Sequence, residues 1–328
     1  MAEIIRYGAY LPKYRTPLGE LQSFYGRPGR PRSKTLSTPA LDEDTLTMAY
    51  EAGVEALGDT TAPAALISVC MSPPFGLRKL SATLARALGL AEDIVTYDLA
   101  GHPGSLLDAF ALAQAVATGD RPVLVIASDH QVSYEERVCD TLSAGGAAAF
   151  LIGASGGFAR LGPAARSSQE VYDVWLLGRE PEARYRLEVL FDAYQAAAKG
   201  AFAALERVTE RPASGYAAVA ASQPHPQTLR GLGRLGVGAE QLANTSFVGE
   251  IGNLGAASVG LALALALDAA QAGQHVLTFG YGGGEGIAQA IEVTADPPAI
   301  GAVDRLGGEA IPLGTYYRWT RGRQAEPH

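Results

Sequence analysis

Two cysteines and five histidines are the side chains here best suited to covalent or proton-transfer chemistry near neutral pH: Cys70, Cys139, His102, His130, His225, His275 and His328. Their spacing narrows what they can do. The cysteines form no CxxC pair and no two histidines stand four residues apart, so no metal site is predicted. Cys70 follows the apolar run Ala65 to Val69, the usual setting of an inert buried thiol, although a displaced nucleophile is the sharper reading. Cys139, ahead of Asp140 and Thr141, reads as a small buried hydrophobe. His102 opens a helical stretch, where the helix dipole favours a neutral imidazole that could act as a base; its plain reading is a packed or capping residue. The run Gly280-Tyr281-Gly282-Gly283-Gly284 follows a strand but lies late in the chain, whereas a dinucleotide fingerprint would open the first βαβ unit.

These residues are positioned by an alternation of short apolar runs and longer Ala/Leu-rich stretches, the pattern of an α/β protein. Strands are predicted at Glu3 to Tyr7, Ala65 to Cys70, Ile94 to Asp98, Pro122 to Ala127 and Ala147 to Ile152, with helices at about 42–57, 78–89 and 104–118. The acids at 42–44 suit the positive end of the first helix and are read as caps. A second round follows: a helix over about 183–208, a strand at Tyr216 to Ala221, a helix at 226–235, another after Ser258, and strands at His275 to Gly280 and Gly286 to Val293. Two successive units of similar length point to a duplicated domain, divided here as 1–160 and 161–328, with 155–182 as the connection. The tail 312–328 carries Tyr316-Tyr317-Arg318-Trp319, types enriched at protein interfaces.

Of 328 residues, 48% are hydrophobic, enough for a large core. The formal charge of -8 and the lack of a basic run exclude a footprint for nucleic acid. Two cysteines cannot build a disulfide framework, which fits a reduced, cytoplasmic setting. No signal-like segment opens the chain, and the apolar stretch Val259 to Ala270 is interrupted by Asp268, so a buried central helix is expected rather than a membrane span.

Five segments in order resemble the archaeal-type 3-hydroxy-3-methylglutaryl-CoA synthases of the thiolase-like superfamily. They are Tyr7-Gly8-Ala9-Tyr10-Leu11-Pro12-Lys13-Tyr14-Arg15, Leu41-Asp42-Glu43-Asp44-Thr45, the run Ser143 to Gly153, Ile251-Gly252-Asn253-Leu254-Gly255-Ala256-Ala257-Ser258, and Phe279 to Gly284. The resemblance implies a thiolase fold, two duplicated α/β halves packed as a five-layered αβαβα sandwich. It further implies a tunnel for the CoA pantetheine arm and three catalytic parts: a cysteine that takes the acyl group, a glutamate acid/base and a histidine that holds the thioester oxygen.

All three are replaced. Gly101 stands in Leu99-Ala100-Gly101-His102-Pro103-Gly104-Ser105 where the family's turn carries cysteine, Cys70 where it carries glutamate, and Ser222 where it carries histidine, with His225 three positions late. What the resemblance leaves is a substrate-binding framework of Gly252, Asn253, Gly282 and Gly283, with Asn253 able to orient a carbonyl, and His102, Tyr281 and Glu250 as groups for proton transfer. The pattern is similar to the cysteine-less synthase-like subunit of phloroglucinol-type acetyltransferase complexes. It implies a non-catalytic subunit that completes an interface with a cysteine-bearing thiolase-like partner and a small OB-fold zinc-ribbon protein, through the tail and residues 130–150; a homodimer is the other assembly. The alternative is carbon-carbon bond formation or cleavage on a CoA thioester without a covalent intermediate. No cofactor is expected; a CoA thioester is the ligand implied.

Overall fold

The computed structural model describes residues 2–26, 31–59, 62–117, 121–131, 144–177 and 183–322. The chain begins with β1 (Glu3–Tyr10), β2 (Tyr14–Pro17), α1 (Leu18–Phe24), β3 (Thr35–Thr38), α2 (Thr45–Leu57), β4 (Ala65–Val69), α3 (Leu80–Ala87), β5 (Val95–Leu99), α4 (Leu106–Val116), β6 (Val123–Asp129) and β7 (Gly146–Gly153). It continues with β8 (Ala159–Ser168), β9 (Val174–Trp175), β10 (Arg184–Tyr185), α5 (Leu187–Thr209), β11 (Ala218–Ala221), α6 (Pro226–Leu232), α7 (Ala239–Ala243), α8 (Val248–Ile251), α9 (Ser258–Asp268), β12 (His275–Gly282), β13 (Glu285–Val293), β14 (Glu309–Ala310) and α10 (Leu313–Gly322). Of the acids before α2, Asp44 caps it, its side chain accepting from the Thr47 N–H at 2.8 Å, whereas Glu43 accepts from the Ala40 N–H and the Tyr10 hydroxyl.

Nine strands form one hydrogen-bonded ribbon in the order β11-β12-β13-β8-β1-β7-β6-β4-β5. In the first half β4 runs parallel to β5 and β6, while β6/β7 and β7/β1 are antiparallel. In the second β11/β12 is parallel and β12/β13 and β13/β8 are antiparallel. The series β1, α2, β4, α4, β6, β7 thus recurs as β8, α5, β11, α9, β12, β13, the structural form of the duplication. β5 has no counterpart; between β11 and α9 the chain makes α6, α7 and α8 instead.

Strand alternation sorts the side chains into layers. Val123, Val125 and Ala127 of β6 enter a central core with Phe110 of α4, the whole apolar length of α9, and Ala220, Ile287 and Ile291 from the second half. Leu124 and Ile126 point the other way, into a core closed by α2 and α3. A third core packs α5 and α6 on Val219, Leu277 and Phe279. Both halves therefore turn one face to the same central helices, and the ribbon folds back at the short β1–β8 junction, Glu3 with Arg160 and Ile4 with Ala159. The result is the five-layered αβαβα sandwich of the thiolase-like fold.

Ser258 to Leu267 of α9 are all buried, which is why that helix is apolar on every side. Gly260 is required by close packing: a Cβ there would sit 2.6 Å from the Ala148 Cβ. The interrupting Asp268 marks the helix end, accepting from the Tyr7 hydroxyl at 2.6 Å and from the backbone N–H groups of Ile300 and Ala302 at 2.9 and 2.6 Å. Among the described residues no helix is long and apolar enough to cross a membrane.

One expectation changes. The stretch 155–182, expected as a connection, contains the ten-residue interior strand β8, whose outer half is polar because one face leaves the cover of the helices. The aromatics of the tail, expected as a contact surface for partners, also pack on this chain's own residues, while Arg318 is exposed. Tyr316 joins Leu18, Leu21, Leu36 and Ile311 in a fourth small core, Trp319 meets Tyr14 edge-on at 5.0 Å, and Tyr317 packs on Phe24 and Tyr25. β14 pairs with β2, and the buried Arg15 guanidinium donates to the carbonyls of Pro12, Tyr14, Arg305 and Gly307 at 2.5 to 2.9 Å. Residues 323–328 lie outside the described residues.

Candidate functional site

Loops following β4, β5, β11 and β12 converge with the turn that precedes α9. They enclose a cavity of about 40 Å³ whose lining includes Met71, Pro103, Asp173, Ser222, Asn253 and Tyr281, together with Gly282 and Gly283. That is room for about three waters or a short acyl group. The convergence depends on close backbone contact, because a Cβ at Gly104 would lie 2.7 Å from the Tyr281 nitrogen.

Ser222 Oγ accepts from the Tyr281 N–H at 3.0 Å, so its own hydroxyl hydrogen is available to a ligand. Asn253 Oδ1 accepts from the Gly255 N–H at 3.0 Å, leaving the amide NH₂ as its donor end. The cavity thus carries two carbonyl-binding donors. It also holds a buried pair: the Tyr281 hydroxyl donates to Asp173 Oδ2 at 2.5 Å, while Asp173 Oδ1 accepts from the Val174 N–H at 2.7 Å. Burial first, then the hydrogen bond and charge of Asp173, push the Tyr281 phenol far above its ordinary range, and it stays protonated.

The surroundings are rigid. Gln223 fixes this turn with three side-chain hydrogen bonds: Oε1 accepts from the N–H groups of Phe247 and Val248 at 2.9 and 3.1 Å, and Nε2 donates to the Thr245 carbonyl at 2.6 Å. Asp129, fully buried at the end of β6, accepts from the Ala256 and His130 N–H groups at 3.0 and 3.1 Å and from the Ser72 hydroxyl. It ties the first half to the turn before α9, and burial pushes its carboxyl above the ordinary range.

Beside the cavity lies an open groove of about 1000 Å³, between residues 31–34 and α6 to α8. Arg32, Lys34 and Arg230 give its lining positive charge, and Leu229, Val237 and Val248 give it apolar surface. The crossing of residues 34–35 over α8 is pinned by the Lys34 N–H on the Gly249 carbonyl at 2.9 Å, the Thr35 hydroxyl on the Glu250 carbonyl at 2.8 Å, and the exposed Lys34–Glu250 ion pair at 2.8 Å. Pro224 lines the cavity and His225 the groove, so the two are separated by one turn of backbone.

No protein-family model matches the chain. Hydroxymethylglutaryl-CoA synthases do: that of Methanobrevibacter smithii is 28% identical over 313 residues, covering 87% of each chain, and that of Methanocaldococcus jannaschii is 27% identical over 311 residues, covering 90% of this chain and 89% of its own. A solved HMG-CoA synthase complexed with CoA superposes with a TM-score of 0.86 at 17% identity, over 97% of this chain and 89% of its own. The HMG synthase of the curacin pathway, solved in complex with an acetyl donor-ACP, gives 0.85 at 18% identity, over 99% and 89%. The chain is HMG-CoA synthase-like, with the thiolase-like fold.

In this synthase-like chain Gly101, which the resemblance places at the family's cysteine, is exposed, has φ +128° and does not line the cavity; a Cβ there would meet nothing within 4 Å. The resemblance places Cys70 where the family carries its glutamate. Cys70 is buried in the core closed by α2 and α3, where burial pushes its thiol up to about 12, and it is Met71 that faces the cavity. Ser222, Asn253, Tyr281, Gly282 and Gly283 do line the cavity; Gly252 does not.

His102 and His225 both stand before a proline as caps, their Nδ1 atoms accepting from the N–H groups of Gly104 and Gln227 at 3.0 and 3.1 Å. His225 lines the groove, 3.0 Å from the Arg32 guanidinium. His102 joins Asp108 and Glu285 in a cluster whose ligand atoms lie within 4.8 Å of one another, a gathering the sequence spacing did not announce. Arg166 already pairs with both carboxylates, at 2.6 Å to Asp108 and 3.2 Å to Glu285. Glu250 faces the groove rather than the cavity. Cys139 and residues 132–143 lie outside the described residues. Asp173 was missed; its one signal is an acid set directly before the apolar pair Val174-Trp175 in an otherwise polar stretch.

Proposed function

We propose that the chain binds a CoA thioester without forming an acyl-enzyme. In this reading it is a degenerate HMG-CoA synthase-like subunit of a cytoplasmic acyl-CoA acyltransferase assembly whose reactive cysteine belongs to a thiolase-like partner, bridged by a small OB-fold zinc-ribbon protein. The observation that carries it is the composition of the cavity. No cysteine is among its described lining residues, Gly101 outside it offers no nucleophile, and Met71 offers no acid or base, while Ser222 and Asn253 remain as donors for a carbonyl oxygen. Groups that act as a unit in acyl transfer lose their effect together when the nucleophile is gone. CoA as ligand is supported by the groove: Arg32, Lys34 and Arg230 suit phosphate groups, the apolar lining suits the pantetheine arm, and solved synthases are complexed with CoA and with 3-hydroxy-3-methylglutaryl-CoA.

Affinity purification from the native host, with intact-assembly mass, tests the assembly; exposure to acetyl-CoA followed by intact-protein mass tests the chemistry. The expected results are fixed-ratio recovery with a cysteine-bearing thiolase-like chain and a zinc-ribbon chain, and no acyl adduct. A homodimer eluting alone overturns the subunit reading, and an acyl adduct overturns the rest. The alternative, carbon-carbon chemistry without a covalent intermediate, is favoured by one observation: the Tyr281–Asp173 pair lines the same cavity.

A further inference from the structure

Tyr281 and Asp173 are 2% and 0% exposed, and a buried carboxylate is costly to keep. A phenylalanine and an apolar neighbour would fill the same volume without that cost. The pair is instead placed in the wall of a cavity that also presents two carbonyl-binding donors, Ser222 and Asn253. A base beside donors that hold a carbonyl is the arrangement needed to remove a proton from the carbon next to that carbonyl.

We infer that Tyr281 and Asp173 form a proton-transfer pair that takes and returns a proton at C2 of a CoA thioester whose carbonyl oxygen is held by Ser222 and Asn253; this rests on the CoA-thioester reading of the cavity. The C2–H bond breaks, and its proton passes to the phenolic oxygen as the phenol's own proton moves to Asp173 Oδ2. The electron pair left on C2 delocalises onto the thioester oxygen, giving an enolate that receives hydrogen bonds from the Ser222 hydroxyl and the Asn253 amide. The negative charge moves from Asp173 to the enolate, nothing is oxidised or reduced, and no group leaves. The reverse steps restore the thioester. Because the phenol is held protonated, Asp173 supplies the basicity and Tyr281 delivers it. The enolate is also the carbon nucleophile that bond formation or cleavage at C2 requires.

The test is deuterium uptake at the acetyl methyl of acetyl-CoA in heavy water, followed by proton NMR with the full-length protein, beside calorimetry of acetyl-CoA binding. Exchange well above the protein-free rate is expected, falling by about 10²- to 10⁴-fold in Tyr281→Phe and in Asp173→Asn with the acetyl-CoA Kd unchanged. Asparagine keeps an oxygen to accept the phenol's hydrogen bond but takes no proton, so a purely positioning role for Asp173 predicts retained exchange. Bound acetyl-CoA without exchange overturns the proton-transfer pair and leaves the CoA reading intact, as does exchange unchanged in both variants. No acetyl-CoA binding at all overturns both.

Discussion

His225 gives a stability difference whose sign and size follow from its surroundings. Burial first, then the Arg32 and Arg230 guanidinium groups, lower its imidazole from 6.5 to about 4. The unfolded chain therefore binds a proton between those values that the folded chain refuses, and stability falls as pH falls from 6.5 toward 4. Between pH 7.5 and pH 5 that linkage amounts to about 2 kcal/mol, which solvent in the open groove reduces to about 1–2 kcal/mol. The substitution that isolates the effect is His225→Asn, because asparagine is a good N-cap and keeps an acceptor for the Gln227 N–H while removing the titration. Urea unfolding at the two pH values measures it. Wild type is expected to lose about 1–2 kcal/mol more than the variant on going to pH 5. Equal losses in both proteins would refute the claim that His225 is neutral because of where it lies.

Gly101→Cys is expected to cost about 1–2 kcal/mol in thermal or urea unfolding, since its φ of +128° disfavours any side chain although space is open, and to gain no acyl group from acetyl-CoA by intact mass. Arg15→Met removes the donor that four or more carbonyls share; a loss of about 3–5 kcal/mol is expected, with limited proteolysis cutting within 300–312 before the core, and a variant as resistant as wild type would sink this account. Gly104→Ala drives a Cβ to 2.7 Å from the Tyr281 nitrogen, where only backbone can yield, so about 1–3 kcal/mol of stability should go together with acetyl-CoA affinity by calorimetry.

The repeated α/β order, and the burial of α9 in particular, were legible because long apolar periods and their Gly, Pro and Asp boundaries are local properties. β8 was not, since Arg160, Arg166, Ser167 and Ser168 make it read as a polar link, and its pairing with β13 comes from residues more than a hundred positions away. The site was legible as far as resemblance located its turns: Ser222, Asn253 and Tyr281 fell in the cavity. Met71 escaped because it lies past the end of β4, where packing rather than strand alternation orients two neighbours, Cys70 entering the core under α2 and α3 and Met71 the cavity wall. The aromatic tail has the composition of an interface, and composition alone could not show that Tyr316, Tyr317 and Trp319 also pack on Tyr14, Phe24 and Tyr25 of this chain.

The burial of α9 between the two halves also sets a timetable. As the chain emerges from the ribosome, β1 to β7 can pair once residue 153 is out, with their inner face covered by α4 alone. Ile67, Val69, Val125 and Phe150 then await residues 258–268, roughly a hundred residues of further synthesis. At about 5–20 residues per second that interval lasts about 5–20 seconds, far longer than collapse of a chain this size. The nascent first half thus spends seconds as a sticky, incompletely covered sheet, and chaperone engagement should concentrate in that window and end as α9 docks.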